Sequence, residues 1–170
     1  IEAARAQYAT PAVVRPLGHI EQVVRAYVAR FPRDTETFEV IASEQFCEAE
    51  IAGLGPYCGI IDRCVRFADG SEYVMDTKST GSYLSETWLD ALSLSHQLIG
   101  YVALRRALGA RCDGFLVDGI HLNDRTQKVD PVKDFYRHGP VRVADWQIER
   151  WAEDAAFTVS QIDTLERTRG

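Results

Sequence analysis

The sequence predicts one α/β domain, residues 1–170, in which helices flank a mixed β-sheet. Apolar residues recur at helical spacing in some segments and alternate with polar residues in others. These segments follow one another in the order α, β, β, β, α, β, β, α, without an internal repeat or a linker. The 170 residues are 46% apolar and 26% charged, which suits a single hydrophobic core.

The N-terminal part predicts a helix followed by a long strand. Residues 17–31 carry apolar side chains at i, i+3, i+4 and i+7, the pattern of an amphipathic helix, and residues 1–9 are predicted helical as well. Residues 32–35 predict a turn. Residues 37–51 are rich in β-branched and aromatic side chains, so they predict one long strand or a bent pair, which glycine and proline end at 53–56.

The remaining elements follow from turn and cap signals. A hairpin is predicted over residues 59–67 and 72–79, because Asp-Gly lies between two alternating runs. The further elements are a helix over 88–108, ended by a glycine, strands over 113–122 and 135–143, and a final helix over 145–167 with an N-terminal Asp as its cap.

The length of the hairpin loop decides which side chains face each other. A three-residue loop, residues 68–70, would place Asp62 directly opposite Asp76. A two-residue Asp-Gly loop would place Asp62 opposite Thr77, on the other face of the sheet. We expect the odd-numbered loop or an equivalent bulge.

The hairpin carries a group of side chains suited to phosphate chemistry. Asp76 and Lys78 project from one strand face, whereas Thr77 points away. Two carboxylates a few ångströms apart repel each other, and Mg²⁺, which prefers one or two carboxylates with waters and phosphate oxygens, would compensate. Lys78 would orient or deprotonate a water and stabilise developing charge. Together, these side chains predict a site for phosphodiester hydrolysis. Taken by itself, the D-x-K tripeptide could equally be an ordinary exposed Asp–Lys pair on a strand edge, with no catalytic role.

Two further motifs stand in order around this group. G-I-I-D at 59–62 precedes V-M-D-T-K at 74–78, and the next helix carries Gln97 and Tyr101 at QxxxY spacing, on one helical face. With these motifs the sequence resembles the PD-(D/E)XK nuclease superfamily, in its RecB-type branch with a QxxxY motif, which includes many phage and repair exonucleases. The resemblance covers residues 38–122, about half of the chain. It implies a restriction-endonuclease-like αβββαβ core.

The resemblance also implies a role for each matching residue. Asp62 and Asp76 would bind the metal, with Asp76 at the position where the family has Asp or Glu. Thr77 would add its backbone carbonyl as a metal ligand. Lys78 matches the motif lysine, and the QxxxY pair would position that lysine, the active-site strands or the DNA backbone.

The resemblance suggests further acidic or histidine ligands. Glu44 resembles an acidic position on the preceding strand and is a further candidate metal ligand, with Glu48 and Glu50 as alternatives because they share its parity in a regular strand. The family's upstream helix often contributes a His or Glu. His19 is the nearest residue by order, in a context that does not match the family's pattern.

Cysteine usage and the ends of the chain suggest the compartment. The four cysteines form no CxxC pair, so we expect small buried hydrophobes in a reducing compartment and no iron–sulfur cluster. No apolar run approaches the roughly 18 residues that span a bilayer, so we expect no membrane partner. The chain begins with Ile and shows no leader, and we expect it to be part of a longer protein in the cytoplasm of a bacterial or phage-infected cell.

The charge balance limits how strongly the chain would bind nucleic acid. It has 19 Lys and Arg against 25 Asp and Glu, a net charge of −6. We therefore expect modest, metal- and salt-sensitive DNA affinity, or help from a protein partner or a homo-oligomer. Two basic stretches could meet phosphates, or could simply be an exposed helix end and a charged edge strand. They comprise Arg105, Arg106 and Arg111, then Lys128, Lys133, Arg137 and Arg142.

Taken together, the motifs predict a Mg²⁺-dependent DNA nuclease, with Mn²⁺ as a possible substitute. The class is an exonuclease of DNA recombination, repair or phage DNA processing. The alternative is a catalytically silent nuclease-fold module for binding or assembly in a larger nucleic-acid complex, and a third class is an RNA-processing nuclease. The sequence leaves open exonuclease or endonuclease action, polarity and strandedness.

Overall fold

A five-stranded mixed sheet forms the centre of the structure, a computed structural model that describes residues 11–81, 84–122 and 128–169. The strands stand in the order β1-β2-β3-β4-β5, with β3 and β4 parallel and the other neighbours antiparallel. They span Phe38–Ile51 (β1), Gly55–Phe67 (β2), Glu72–Thr80 (β3), Gly114–His121 (β4) and Phe135–Arg142 (β5). The predicted α/β class with a mixed central sheet is confirmed.

Helices flank this sheet and connect its two parallel strands. They span Pro11–Arg30 (α1), Asp34–Thr37 (α2), Glu86–Leu92 (α3), His96–Ala107 (α4) and Asp145–Arg169 (α5). The helix predicted over residues 1–9 lies outside the described residues. Within the described part of the chain, no helix is long and apolar enough to cross a membrane.

The single helix predicted over residues 88–108 is wrong, because two helices, α3 and α4, occupy this segment. The break falls at Ser93 and Ser95, and the Ser95 hydroxyl accepts the backbone N–H of Leu98 at 3.4 Å as the N-cap of α4. The apolar spacing runs on across the break, so periodicity gave no sign of it. Capping serines inside a periodic segment were the available signal.

Two predicted boundaries also shift. β2 begins at Gly55 rather than at residue 59, because a short turn over residues 52–54 lets Gly55 pair directly with Ile51. Gly55 takes a φ of 98°, a backbone conformation that favours glycine. Residues 34–37, predicted in part as turn, form the one-turn helix α2. β1 is one long strand with a register shift between Val40 and Ala42.

The core occupies both faces of the sheet. The larger cluster packs α4 and α5 on the sheet, and the smaller cluster lies on the opposite face. Val74 belongs to the larger cluster and Met75 to the smaller, as neighbours in a strand should. We call the face that carries Val74 the α4 face. The face that carries Met75 is the α1 face, because α1 reaches it through Tyr27.

The four cysteines are all free thiols, and three of them are buried. Burial raises the pKa of the Cys112 thiol to about 11, which suppresses its thiolate at neutral pH. Cys58 alone is exposed, on β2. The prediction of buried hydrophobic cysteines therefore holds for Cys47, Cys64 and Cys112 and is wrong for Cys58.

We predict that one thiol of the folded protein reacts quickly with a thiol reagent and three react only on unfolding. The reason is that the thiolate is the nucleophile and only Cys58 is accessible. Absorbance titration with an aromatic disulfide, in buffer and then in denaturant, measures both phases. Cys58→Ser should remove the fast phase alone; two fast thiols in the native protein would contradict this burial pattern.

Candidate functional site

The register of the β2–β3 hairpin brings two carboxylates together. The ladder pairs Arg66 with Glu72 and ends at Arg63 with Met75. Continuing it by one residue places Asp62 opposite Asp76. The backbone N–H of Phe67 donates to the Ser71 carbonyl at 2.9 Å, so the loop has the three residues 68–70 that the prediction favoured.

Asp62 lies where β2 and β3 separate. Its Oδ2 accepts the backbone N–H of Thr77 at 3.1 Å. This N–H lies beyond the last ladder pair, so a side-chain carboxylate takes the place of a backbone acceptor. The bond fixes the Asp62 side chain beside the Asp76–Thr77 segment.

Asp76 is a buried carboxylate on the α4 face. Its side chain is 4% exposed, and its Oδ2 lies 2.9 Å from Nζ of Lys78. Apart from this ion pair, Oδ2 accepts no hydrogen bond from the described residues. Burial raises the pKa of Asp76 above its ordinary value of 3.8, and the negative charge of Asp62 raises it further, while Lys78 opposes both.

Lys78 is held from two sides. Besides Asp76, its Nζ donates to Oε1 of Gln97 at 2.5 Å, and Nε2 of Gln97 donates to the Tyr101 hydroxyl at 2.8 Å. Gln97 and Tyr101 lie one turn apart on α4, which packs on this face. The structure therefore brings five predicted site residues into one region. Asp76, Lys78, Gln97 and Tyr101 are linked by side-chain contacts, and Asp62 joins them through its hydrogen bond to the Thr77 backbone.

Gly59 leaves the space that Tyr101 needs. A Cβ at residue 59 would stand 2.9 Å from Cε1 of the Tyr101 ring, closer than real Cβ atoms approach a neighbour. The first residue of the G-I-I-D motif is thus required by packing against α4. It supports the Gln97–Tyr101 hydrogen bond indirectly.

Among the other predicted ligands, Glu44 stands opposite Asp62 in the register of β1 and β2, but the two do not form a metal-binding set with Asp76 among the described residues. Glu44 lies on β1 between the pairs that join Ser43 to Arg63 and Gln45 to Ile61, and it is exposed with a φ of 47°. Such a φ is unusual for a residue with a side chain and strains the backbone. Glu48 and Glu50 pair further along the β1–β2 hairpin. No set of three or more His, Cys, Asp and Glu side chains in the described ranges is placed to hold a metal.

His19 lies on α1, and no polar partner for its imidazole is found among the described residues. Both of its ring nitrogens are buried and without a hydrogen bond in the described part of the chain. A buried imidazole normally satisfies at least one nitrogen. The structure does not group His19 with Asp62 and Asp76.

The two aspartates nevertheless fit a hard divalent cation. They offer carboxylate oxygens from adjacent strands, and among the described residues the buried Oδ2 of Asp76 has the Lys78 ammonium group as its partner and accepts no further hydrogen bond. Mg²⁺ is commonly bound by one or two carboxylates, with waters and substrate phosphate oxygens filling the other positions. A cation there would also offset the burial and repulsion that raise the pKa of Asp76.

Sequence reasoning missed a second charged group, on the α1 face. Asp118 is fully buried and receives hydrogen bonds from Tyr27, Arg63 and Arg137. The available signal was Asp118 itself, a carboxylate at the end of the apolar run F-L-V-D. The sequence places Arg137 among the basic residues that could contact phosphates, but it forms ion pairs with Asp118 and Asp34 instead.

The arginines after the QxxxY pair are likewise engaged within the protein. Arg105 contacts Gln45 and Glu72. Arg106 donates to backbone carbonyls and to Asp145. The third arginine of this basic stretch, Arg111, forms an ion pair with Asp113 at the surface. The basic charge expected for phosphate contacts is therefore largely used in structural contacts.

Comparison with known proteins gives a structural likeness only. No protein-family model matches the chain, and no curated protein matches it. Among solved structures, the crystal structure of SSO0001 is similar at 19% sequence identity with a TM-score of 0.43. The similarity covers 92% of this chain and 66% of that chain, so this chain spans just under two thirds of that protein's length.

We predict that Asp76→Asn changes the pH dependence of stability in metal-free buffer. Because folding raises the pKa of Asp76, its contribution to stability is fully present below the unfolded value of 3.8 and is lost as pH rises through the folded pKa. The free energy of unfolding of the parent relative to Asp76→Asn should thus fall as pH rises from about 4 to 7. Urea unfolding across this range measures it. Asp163→Asn, at an exposed position of α5, is the control, and its free energy of unfolding should differ from that of the parent by the same amount at every pH. If the parent instead became more stable relative to Asp76→Asn as pH rises, the raised pKa of Asp76 would be refuted.

We predict that Gly59→Ala destabilises the protein by about 1–3 kcal/mol, the usual cost of overpacking. The new methyl group would push the Tyr101 ring away from β2. Urea unfolding measures the loss. Gly18→Ala is the control, since nothing lies within 4 Å of a Cβ there and alanine favours the helix. Equal stability of Gly59→Ala and the parent would show that Tyr101 does not pack as described.

Proposed function

We propose that this chain is a metal-dependent DNA nuclease that hydrolyses phosphodiester bonds. The observation that carries the proposal is the group of Asp62, Asp76 and Lys78 where β2 and β3 separate, with Lys78 held by Gln97 and Tyr101. Carboxylates from two strands, an ammonium group and a backbone carbonyl at one point are the components that metal-assisted phosphate hydrolysis needs.

Each residue has a distinct part in the proposed reaction. Asp62, Asp76 and the Thr77 carbonyl would hold Mg²⁺ or Mn²⁺, which supplies Lewis-acid chemistry at the scissile phosphate when bound. Lys78 lies close enough to Asp76 to orient the attacking water and to stabilise the extra charge on the phosphate. Gln97 and Tyr101 restrict where the ammonium group can go, and so keep it at the site.

The fold supports the same proposal at a finer level. Helix α1, strands β1–β3, helix α4 and strand β4 follow the αβββαβ order of a restriction-endonuclease-like core. The D-x-K strand is β3, at the centre of the sheet, and the QxxxY helix packs on the face that carries Asp76. We propose this core, and membership of the RecB-type branch of the PD-(D/E)XK superfamily, on that order and placement.

The proposed substrate is DNA, and the proposed class is an exonuclease of recombination, repair or phage DNA processing. The net charge of −6 and the engaged arginines favour weak binding that depends on metal. A protein partner or a second copy of the chain would supply further contacts. A catalytically silent binding or assembly module is the alternative.

We predict that Lys78→Ala and Asp76→Asn each reduce Mg²⁺-dependent cleavage of DNA by at least about 100-fold, because the first removes charge stabilisation at the phosphate and the second removes a carboxylate that would hold the metal. End-labelled linear DNA, circular DNA and RNA, with Mg²⁺ or with a chelator, separate exonuclease, endonuclease and ribonuclease action. Arg150→Ala, which removes one positive charge at an exposed position of α5 where the arginine pairs with Glu153 and Asp154, is the matched control and should cleave at the parental rate.

Two outcomes would contradict the proposal. Parental cleavage by Lys78→Ala would exclude the mechanism. DNA binding by the parent without metal-dependent cleavage would favour the silent module instead. The second outcome leaves the fold unaffected, because it concerns turnover alone.

A further inference from the structure

We propose that Arg63 is a positioning residue for the metal centre and that Asp62 and Arg63 together hold Thr77, Asp62 through its backbone N–H and Arg63 through its side-chain hydroxyl. This inference rests on the proposed function. We call the three residues the Thr77 clamp. Its two halves, Asp62 and Arg63, are neighbours in β2 and bind different parts of Thr77.

The first half of the clamp acts on the Thr77 backbone. Oδ2 of Asp62 accepts the Thr77 N–H at 3.1 Å. Since Thr77 is the proposed carbonyl ligand, a rotation of its peptides would change where that oxygen points. One hydrogen bond restrains the N–H side of the residue but leaves its side chain free to turn.

The second half acts on the Thr77 side chain. Nη2 of Arg63 donates to Oγ1 of Thr77 at 2.7 Å and to Oδ2 of Asp118 at 3.3 Å. Thr77 and Asp118 stand side by side in the β3–β4 register. Arg63 therefore links β2 to Thr77 on β3 and to Asp118 on β4, on the face of the sheet away from the proposed metal.

The guanidinium of Arg63 is itself fixed from behind. The side chain of Asp118 is only 1% exposed. It also accepts hydrogen bonds from Nε of Arg137, at 2.7 Å, and from the hydroxyl of Tyr27. Arg137 donates in turn to Asp34. Burial by itself would lower the pKa of Arg63, yet Tyr27 and Asp118 raise it, so the guanidinium stays charged.

The charges of this network are balanced, and the network also makes a hydrogen bond to Thr77. Two arginines face two aspartates, so no buried charge is left without a partner. Among the described residues, the network is linked to β3 by the hydrogen bond from Arg63 to Thr77. A network serving stability alone would not need it, because Thr77 is exposed and water could satisfy its hydroxyl.

The test removes the Thr77 hydroxyl and leaves the rest of the clamp intact. Thr77→Val keeps the shape and the backbone carbonyl, and it fits beside Val23 and Ile120, which line the same groove of about 210 Å³. Mn²⁺ binding to the full chain without DNA, followed by the electron paramagnetic resonance of free Mn²⁺, is the readout. Thr77→Ser, which retains the hydroxyl, is the matched control.

We expect Thr77→Val to weaken Mn²⁺ binding about tenfold, the usual effect of losing a group that orients a metal ligand. Thr77→Ser should bind within about twofold of the parent. The urea midpoint should be unchanged in both, and cleavage by Thr77→Val should recover at high Mn²⁺. Arg63→Lys should weaken binding similarly, and combining it with Thr77→Val should add little, because both remove the same contact.

Parental Mn²⁺ affinity in Thr77→Val, or equal weakening in Thr77→Ser, would overturn the clamp while leaving the proposed function standing. A parent protein that neither binds Mn²⁺ nor cleaves DNA, with Asp76→Asn behaving identically, would instead overturn the proposed function, and the role of the clamp would fall with it.

Discussion

The pairing register of β2 with β3 is the constraint on which the candidate site depends. A slip by one position would set Arg63 rather than Asp62 opposite Asp76, so a guanidinium would replace the second carboxylate of the site. The three-residue loop and the buried side chains of Val65, Tyr73 and Val74 hold the register that avoids this.

Much of the fold could be predicted because its signals are local. Alternation, helical spacing and the Asp-Gly turn predicted the strands and the three-residue hairpin loop. The break between α3 and α4 escaped because a capping serine competes with an apolar pattern that runs straight through it. The Asp118 network was missed because its members come from five separate elements, and nothing in one segment indicates the others.

The electrostatics divide between the two faces of β3. On the α1 face, positive and negative groups are matched around Asp118, which makes that group a rigid support. On the α4 face, one lysine stands against two carboxylates, and the pKa of Asp76 is raised. A divalent cation would therefore be stabilised on the α4 face, where the negative charges outnumber the positive one. An acidic chain can therefore carry a phosphate-directed site, because the local balance rather than the total sets the attraction.

The parallel pairing of β3 with β4 also sets an order of assembly. Strands β1 to β3 pair through short turns, so Asp62, Asp76 and Lys78 can meet early at little cost in loop-closure entropy. β4 pairs with β3 only after the crossover through α3 and α4 has closed, which is the slower, non-local event. Lys78 therefore gains Gln97, and Thr77 gains Asp118 as a neighbour, late in folding. A chain caught before that step would have its acidic residues in place without the groups that restrain them.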